Sequence, residues 1–435
     1  MKRFDIAVCG AGPAGSTVAC YLSRAGYDVI LFEQAEFPRH QIGESLLPFS
    51  WKIFEEIGFA QKVRDAGFVQ KFGATFHSER SKAGHSFLFE KSVNPLFPSI
   101  CHVPRDKFDA MLLDHARECG VTVMQPHAVR KVDKHPDQVV INDEFSVKLL
   151  IRANGITNQQ AHPDCYIQND QEDNATGIYS YFPWKRRTGT NRDGDVLIDL
   201  FYENDEQTTP SWAWAIPINE EVMSVGYVLR THVFAGYRKE GKSLNDIGQE
   251  LLARVPFIQE SISSTLPMED YRMRFNFQRV SRQIVHEREI FIGDAAGFID
   301  PVFSSGVHIG LNSARMAAKI IQAAQLPSGD FSQAALLPFQ MTYRRLFWNY
   351  YRFVKLFYEK NLVENLFLLT DPERDDYTRQ LTREFTSILS GDVDSPNSII
   401  RSLDTARLTI NPEVREVFGS AAALPVKLET EVNNI

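Results

Sequence analysis

Three glycines and one acidic residue near the amino terminus have the types and the spacing that a dinucleotide site requires. Gly10, Gly12 and Gly15 form a Gly-x-Gly-x-x-Gly pattern. The first glycine of such a pattern permits a tight turn, the second lets the backbone approach a pyrophosphate, and the third allows a helix to pack closely on a strand. The amide groups at the start of that helix stabilise phosphate charge. Glu33 follows about 20 residues later, where an acidic side chain accepts hydrogen bonds from a ribose.

The elements needed to hold these residues are visible on both sides of the glycines. Phe4–Cys9 is a short apolar run typical of a buried parallel strand, and a helical pattern continues from the glycines to Arg24. Asp28–Phe32 has the pattern of a second strand. A glycine-rich turn without a ligand is the alternative. Because the strand, the helix and the acid are all in place, the pattern favours a dinucleotide site.

One lysine and two tryptophans also lie at positions where residues of these types are uncommon. Lys71 lies in the otherwise apolar run Phe68–Phe76, and a buried lysine is rare unless it is paired or functional. A strand-end lysine that extends its amine into solvent is the alternative. Trp212 and Trp214 alternate along a predicted strand, so they share one face, either as the wall of a pocket or as core residues.

The composition argues against several classes of function. The chain of 435 residues carries 47 basic and 55 acidic side chains and no long basic run, so nucleic acid is not an expected partner. No apolar run approaches about 18 residues, so no membrane-spanning helix is predicted. Only three residues precede the first predicted strand, which leaves no room for a signal peptide and predicts a cytoplasmic protein. The five cysteines form no Cys-x-x-Cys pair and no metal-ligand spacing, so we expect reduced thiols and no metal site.

The order of the elements predicts an α/β fold with a Rossmann-type cofactor domain. Glu289–Ile292 returns to the pattern of a buried parallel strand and leads into Gly293 and Asp294. The cofactor domain is therefore predicted to be discontinuous, over residues 1–110 and 270–330.

The rest of the chain divides into two further predicted regions. Residues 111–269 are predicted to form an inserted, mainly antiparallel sheet domain on the substrate side, because the chain alternates like a sheet from about Thr176 to Val228. Residues 331–435 are predicted to form a helical C-terminal region. Its aromatic stretch Phe339–Phe357 is either a lid over a substrate or a helix packed against the sheets.

Several motifs resemble those of the FAD-dependent halogenases, within the wider group of flavin monooxygenases and geranylgeranyl-reductase-like flavoproteins. The glycine motif with Glu33, and Gly293-Asp294-Ala295-Ala296, are shared by many FAD enzymes. The loop Phe37–Pro48, and Arg105 ahead of Phe108-Asp109, also match. The two narrower matches are Trp212-Ala213-Trp214-Ala215-Ile216-Pro217 and Pro301-Val302-Phe303-Ser304-Ser305-Gly306.

The resemblance implies FAD as the cofactor, and two cofactor motifs far apart in sequence favour FAD over NAD. Asp294 is then expected to bind the ribityl chain, although an aspartate before two alanines is also typical of a helix N-cap. The residues expected to contact FAD are Gly10, Gly12, Pro13, Ala14, Gly15, Glu33, Arg39, Ser45, Arg105, Asp294 and Gly306.

The resemblance also implies a halide site and a catalytic lysine. Reduced FAD and O2 together oxidise the halide to hypohalous acid. The halide is expected at the backbone amides of Ser305 and Gly306, where successive amides form an anion-binding nest, unless this is only a turn into the next helix. Lys71 matches the lysine that directs hypohalous acid. Trp212, Trp214 and Phe303 are expected to shape the pocket and keep organic substrates away from the flavin.

Three departures from the family pattern bear on the substrate and on the halide step. Tryptophan halogenases have a glutamate at the position of Phe303, so free tryptophan is a disfavoured substrate. Thr75-Phe76-His77-Ser78 replaces the usual Phe-x-Trp-Gly, and Arg152-Ala153-Asn154-Gly155 replaces Asp-Ala-Ser-Gly.

The first functional hypothesis is therefore a two-component halogenase that receives reduced FAD from a separate flavin reductase. Its expected substrate is an electron-rich aromatic or pyrrole, free or bound to a carrier protein. The alternative is a halogenase-like monooxygenase that hydroxylates an aromatic ring, including a tryptophan or tyrosine side chain of another protein. A reductase of isoprenoid double bonds and a non-enzymatic flavin-binding partner are weaker alternatives.

Overall fold

A computed structural model describes most of the chain. The residues outside the description are 162, 168–173, 185–193, 204–208, 276–277, 329, 361, 370–375, 394, 404–405 and 420–435. The C-terminal part of the predicted helical region, from 420 onward, thus lies outside the described residues.

The described strands are β1 (Lys2–Arg3), β2 (Ile6–Cys9), β3 (Val29–Phe32), β4 (Gln70–Lys71), β5 (Gly73–Ser78), β6 (Ala83–Leu88), β7 (Ile100–Cys101), β8 (Thr122–Met124), β9 (Val132–Lys134), β10 (Val139–Ile141), β11 (Phe145–Val147), β12 (Leu149–Arg152), β13 (Tyr166–Ile167), β14 (Ala175–Pro183), β15 (Val196–Phe201), β16 (Ser211–Pro217), β17 (Val222–Arg230), β18 (Arg272–Phe275), β19 (Arg279–Ser281), β20 (Val285–His286), β21 (Glu289–Phe291) and β22 (Gly297–Phe298). The described helices are α1 (Pro13–Arg24), α2 (Ser50–Ile57), α3 (Ala60–Asp65), α4 (Arg105–Glu118), α5 (Ile156–Ala161), α6 (Thr231–Lys239), α7 (Leu244–Ala253), α8 (Pro256–Gln259), α9 (Ser305–Ser328), α10 (Gln333–Glu359), α11 (Leu362–Leu369), α12 (Asp376–Ser390), α13 (Ser398–Ser402) and α14 (Pro412–Gly419).

A six-stranded sheet of the order β20-β21-β12-β2-β3-β8 forms the centre of the cofactor-binding half. All its neighbouring strands are parallel except β20 and β21. Every residue of β2 and of β3 is buried, as expected for strands covered on both faces. The predicted strand–turn–helix–strand unit is thus confirmed as β2, α1 and β3, and α9 packs against α1.

A seven-stranded sheet of the order β18-β14-β17-β16-β15-β5-β6 forms the second layer. Its neighbouring strands are antiparallel except β15 and β5. One face packs on α6, α7 and α8 through a separate hydrophobic cluster. The other face carries Trp212 and Trp214 into the main core of the molecule. The α/β class and the mainly antiparallel second sheet agree with the sequence.

The strands are divided between the two sheets differently from the ranges expected from the sequence. Strands β5 and β6 precede residue 110 but belong to the seven-stranded sheet, whereas β8 and β12 follow it and belong to the parallel sheet. The boundary at residue 110 is therefore wrong, because the chain crosses between the two sheets more than once. Short strands of similar composition do not reveal which sheet they join.

Helix α10 packs into the core and does not form an exposed lid. On α10, the aromatic side chains Tyr350, Tyr351, Phe353 and Phe357 are buried in the main core. The packed-helix interpretation of the aromatic stretch is thus confirmed. Within the described part of the chain, no helix has the length and apolar character needed to cross a membrane.

The contact between Gly226 and Trp214 gives a stability test of the second sheet. These residues are paired on β17 and β16, and a Cβ at Gly226 would lie 2.3 Å from Cζ2 of the Trp214 indole and 2.7 Å from Cβ of Tyr179. We expect Gly226→Ala to lower the free energy of unfolding by about 1–3 kcal/mol through overpacking. Chemical denaturation measures the change.

Gly236 provides the matched control for this substitution. It lies on α6, and a Cβ there would meet nothing within 4 Å. Gly236→Ala should leave stability unchanged or raise it by up to about 1 kcal/mol, because alanine favours the helix. Equal effects of the two substitutions would contradict the close packing of the indole on Gly226.

Candidate active site

The glycine turn has the backbone geometry of an anion cradle. Gly10 has φ +103°, and a Cβ at Gly15 would lie 1.9 Å from the carbonyl oxygen of Gly10. Gly12 is the N-cap of α1, Pro13 is in its first turn, and no side chain caps the helix. The first amides of a helix have no intrahelical partner. The turn therefore presents donors and a dipole to a pyrophosphate, and these residues fit that group.

Glu33 lies beside this turn. One carboxylate oxygen accepts a hydrogen bond from the Ala11 amide at 2.8 Å, and the other accepts one from the Ala35 amide at 2.9 Å. The side chain is buried. The carboxylate thus holds the turn in place at the end of β3.

Two arginines meet at one buried carboxylate next to the glycine turn. Arg105 donates to both oxygens of Asp109, at 2.8 and 3.0 Å, and to the carbonyl oxygen of Ile42 at 2.7 Å. Arg39 lies 3.3 Å from the same carboxylate, and its guanidinium is 3.6 Å from the position of a Cβ on Gly12. Arg39 is therefore placed at the pyrophosphate turn, and Arg105 ties the loop 37–48 to α4.

Asp294 lies in a 3-10 turn, Gly293–Ala295, that follows β21. The sequence-based alternative, in which Asp294 is the N-cap of a helix, is wrong, because the residue lies inside this turn. Burial raises the pKa of Asp294 to about 6, although the charge of Arg105 opposes the shift. Arg105 and Asp294 thus interact electrostatically across nearly 200 residues of sequence.

The basic residue that replaces the family's acid has a local partner. Arg152 ends β12 and donates to the Glu289 carboxylate, to which Lys134 also donates. Burial opposes ionisation of Glu289, but Arg152 and Lys134 outweigh it and lower the pKa of that carboxyl. The neighbouring Gly155 approaches Asp294, since a Cβ at Gly155 would lie 3.9 Å from Cβ of Asp294. The exchange of acid for base therefore leaves the backbone next to Asp294 in place.

Lys71 is fully enclosed and does not extend to solvent. Only 1% of the residue is exposed. Its amine donates to Oγ of Ser45 at 2.9 Å and to the carbonyl oxygen of Leu46 at 3.1 Å, and it lies 5.3 Å from the centre of the Phe89 ring. The solvent-directed alternative is therefore wrong. The amine is fixed against the loop that carries Ser45.

Burial lowers the pKa of Lys71 from 10.5 to about 7, and the negative charge of Asp195 only partly offsets this shift. The adjacent His102 is buried as well, and burial together with the charge of Lys71 lowers its pKa to about 3. His102 is thus neutral near pH 7. Of these two residues, Lys71 is the one that changes protonation in the neutral range.

The predicted halide loop enters the first turn of a long helix. Ser304 has φ +55°, and Ser305 begins α9, whose 24 residues give its amino end a substantial dipole. The hydroxyl of Ser305 is buried and has no hydrogen-bond partner among the described residues. A Cβ at Gly306 would lie 3.2 Å from the ring of Phe298. Unpaired donors beside an aromatic wall suit a small anion.

Phe303 forms an apolar wall next to this turn. The residue is buried, and its ring centre lies 4.5 Å from that of Phe353 and 5.6 Å from that of Phe357. The side chain at position 303 is thus an aromatic ring packed among other rings, and it carries no carboxylate. The site therefore lacks, at this position, the acid that tryptophan halogenases carry.

The tryptophan pair is linked to the halide loop by a hydrogen-bond chain that the sequence did not predict. Nε1 of Trp212 donates to the Tyr358 hydroxyl at 2.8 Å, and that hydroxyl donates to Asp300 at 2.8 Å. Asp300 in turn accepts a bond from the Val302 amide at the start of the loop. The centre of the Trp212 rings lies 5.8 Å from that of Trp214, so both face the same side of β16.

Glu44 is a second residue whose character only the structure reveals. Burial raises its pKa to about 7, and the Tyr181 hydroxyl donates to it at 2.8 Å. The loop Phe37–Pro48, which contains Glu44, matched the family pattern, but its sequence did not indicate that Glu44 is buried. Tyr358 had no sequence signal, because it lies in a helix that resembles any packed aromatic helix.

Comparisons with known proteins identify the family and several similar proteins. Residues 3–330 match the family described as FAD binding domain. The chain is 28% identical to a 1H-pyrrole-2-carbonyl-[peptidyl-carrier protein] chlorinase of Pseudomonas fluorescens, over 98% of this chain and 95% of that protein. It is 28% identical to a tryptophan 2-halogenase of Chondromyces crocatus, over 84% of this chain and 70% of that protein. The solved structure of the myxobacterial chondrochloren halogenase has a TM-score of 0.75 at 26% identity, covering 97% of each chain.

The fold and the site thus define an FAD-binding oxidoreductase. The chain belongs to the FAD-binding-domain family, and along nearly its whole length it is similar to flavin-dependent halogenases. FAD is the cofactor that the glycine turn, Glu33 and the Asp294 turn fit, and it supplies the redox chemistry when bound.

The unusual pKa of Lys71 predicts a pH dependence of stability. A lysine with a pKa of about 7 in the folded state and 10.5 in the unfolded state binds more protons when unfolded between those pH values. Stability therefore rises with pH in this window, by up to about 1.4 kcal/mol per pH unit. Relative to Lys71→Met, the wild-type protein should gain free energy of unfolding from pH 7 to pH 10. A difference between the two proteins that is independent of pH would contradict the buried amine.

Proposed function

We propose that this protein is a two-component halogenase that uses reduced FAD, O2 and a halide ion to halogenate an electron-rich aromatic or pyrrole presented on a carrier protein. The observation that carries the proposal is the Lys71 amine. It is buried, held by two hydrogen bonds and has its pKa lowered to about 7. A hydroxylase that transfers oxygen directly to a ring has no need of such an amine.

The first role of the chain is to bind the halide. The amides of Ser305 and Gly306 lie at the amino end of α9, where the helix dipole favours an anion. The buried Ser305 hydroxyl is a further donor. These neutral donors hold a halide without a counter-charge that would trap it. Bound reduced FAD and O2 supply the two-electron oxidation of the halide.

The second role of the chain is to direct the hypohalous acid that results. The Lys71 amine donates a hydrogen bond to it or, as the neutral amine, is converted to a haloamine with release of water. Transfer to the ring replaces one C–H bond with a carbon–halogen bond, and the ring proton leaves with water or returns to the amine. Trp212 is fixed through Tyr358 to the halide loop, so the wall between flavin and substrate is rigid.

The substrate class follows from what surrounds Phe303. The aromatic wall formed with Phe353 and Phe357 suits an uncharged ring and offers no acid for a free amino acid. The chlorinase of Pseudomonas fluorescens, which is similar along nearly its whole length, acts on a pyrrole-2-carbonyl group on a peptidyl carrier protein. A carrier-bound pyrrole or phenol is therefore the proposed substrate, and a separate flavin reductase is the proposed source of reduced FAD.

The decisive experiment compares wild type with Lys71→Met and Lys71→Ala. Each protein is supplied with a flavin reductase, FAD, NADH, chloride or bromide, and either a pyrrole-2-carbonyl carrier protein or free phenols. We expect halogenated product to fall at least about 100-fold in both variants, while oxidation of reduced FAD continues. Mass spectrometry of the product measures the change.

Lys107→Met is the matched control, because Lys107 is an exposed lysine whose amine lies over the ring of Phe68. It should retain wild-type halogenation. A product that gains one oxygen and no halogen, in amounts unchanged by Lys71→Met, would overturn halogenation in favour of hydroxylation.

A further inference from the structure

Two cysteines and a histidine meet at the ends of two helices. Cys20 lies in the third turn of α1, whereas His115 and Cys119 lie one turn apart at the end of α4. One ligand atom from each of the three residues lies within 4.8 Å of the others. Cys20 and His115 are buried, and Cys119 is partly exposed. The catalytic proposal uses none of these groups.

The one ligand pair with a defined separation, Cys119 and His115, has the spacing of a zinc site. Bonds of about 2.3 Å to sulfur and about 2.0–2.1 Å to nitrogen in a tetrahedron put neighbouring ligand atoms about 3.5–3.8 Å apart. Sγ of Cys119 lies 3.7 Å from Nε2 of His115. We infer that Cys20, His115 and Cys119 bind a thiophilic divalent cation, Zn²⁺, with water as the fourth ligand on the partly exposed side of Cys119.

The Nδ1 side of the imidazole fits a metal on Nε2, whereas the carbonyl oxygen of Ile57 on the Nε2 side must shift to admit the ion. Without metal, Nε2 lies 2.9 Å from the carbonyl oxygen of Ile57, while Nδ1 is buried and has no hydrogen-bond partner among the described residues. Metal on Nε2 requires the proton to be on Nδ1, and a carboxylate oxygen of Glu118 lies 3.7 Å from that atom. Metal-bound histidines commonly direct this proton at a carboxylate. The carbonyl oxygen of Ile57 keeps a second donor, Arg24, at 3.2 Å.

Two cysteine ligands also suit a divalent ion, because zinc displaces the protons of both thiols and the two thiolates neutralise its charge.

The position of the cluster indicates a structural role. Helix α1 starts at the glycine turn and α4 starts at Arg105, so the first turns of both helices face the cofactor site. The cluster joins the opposite ends of these helices, where Ser23 already donates to the carbonyl oxygen of Cys119 at 2.7 Å. Zinc at this point would hold the two helices together far from the flavin. The sequence did not suggest it, because the ligands are separated by nearly 100 residues.

The test measures metal binding by the full-length protein carrying FAD. After treatment with a chelator, the protein is titrated with Co²⁺ and Zn²⁺. We expect one equivalent of metal per chain, thiolate-to-cobalt absorption, d–d bands at wavelengths beyond the flavin absorption, and a higher melting temperature with Zn²⁺. Cys20→Ser, Cys119→Ser and His115→Gln should each weaken binding at least about 10-fold. Cys165→Ser, which changes a partly exposed cysteine outside the cluster, should bind as wild type does.

Alkylation of the wild-type protein gives a second measurement that needs no variant. Zn²⁺ should protect Cys119 from iodoacetamide, mapped by mass spectrometry, and should leave Cys165 reactive. The inference is wrong if wild type shows no thiolate-to-cobalt band, if binding survives in the folded cysteine variants, or if Cys20 and Cys119 form a disulfide and the reduced protein takes up no metal. None of these measurements depends on halogenation, so the zinc site and the proposed activity are tested independently.

Discussion

The burial of one amine is the constraint on which the catalytic half of this molecule depends. A charged ammonium in an apolar interior is costly, and the protein reduces that cost by lowering the pKa of Lys71 and by giving the amine two oxygen acceptors. Both acceptors belong to the loop that also carries Glu44 and contacts Arg105. Lys71 therefore joins β4 to this loop, and Arg105 joins the same loop to α4.

The two sheets contribute different residues to the site. The parallel sheet places the glycine turn, Glu33 and the Asp294 turn at the ends of its strands, as is usual for a nucleotide site in an α/β fold. The antiparallel sheet presents its tryptophans to the same region, and the chain from Trp212 through Tyr358 to Asp300 joins that sheet to the halide loop. The aromatic helix α10, which carries Tyr358, thus provides this link between the sheet and the loop.

Local patterns predicted those features that depend on nearby residues. The glycine spacing predicted the βαβ unit, whereas the apolar run around Lys71 left a buried and a solvent-directed amine as alternatives that the structure decides. The sequence did not predict which sheet β5, β8 and β12 join, the Tyr358 link, or the cluster of Cys20, His115 and Cys119. Each of these depends on contacts between segments far apart in the chain, and propensity and spacing carry no information about such contacts.

The most direct test of the central claim is the pKa of Lys71 itself. Lysine side chains labelled with ¹⁵N are titrated by NMR in the folded protein, and the Lys71 signal is assigned by its loss in Lys71→Met. A buried amine held as described titrates near pH 7, well below the other lysines. A Lys71 signal that titrates with the exposed lysines near their usual pKa would show that the amine reaches solvent, and the proposed role in directing hypohalous acid would be wrong.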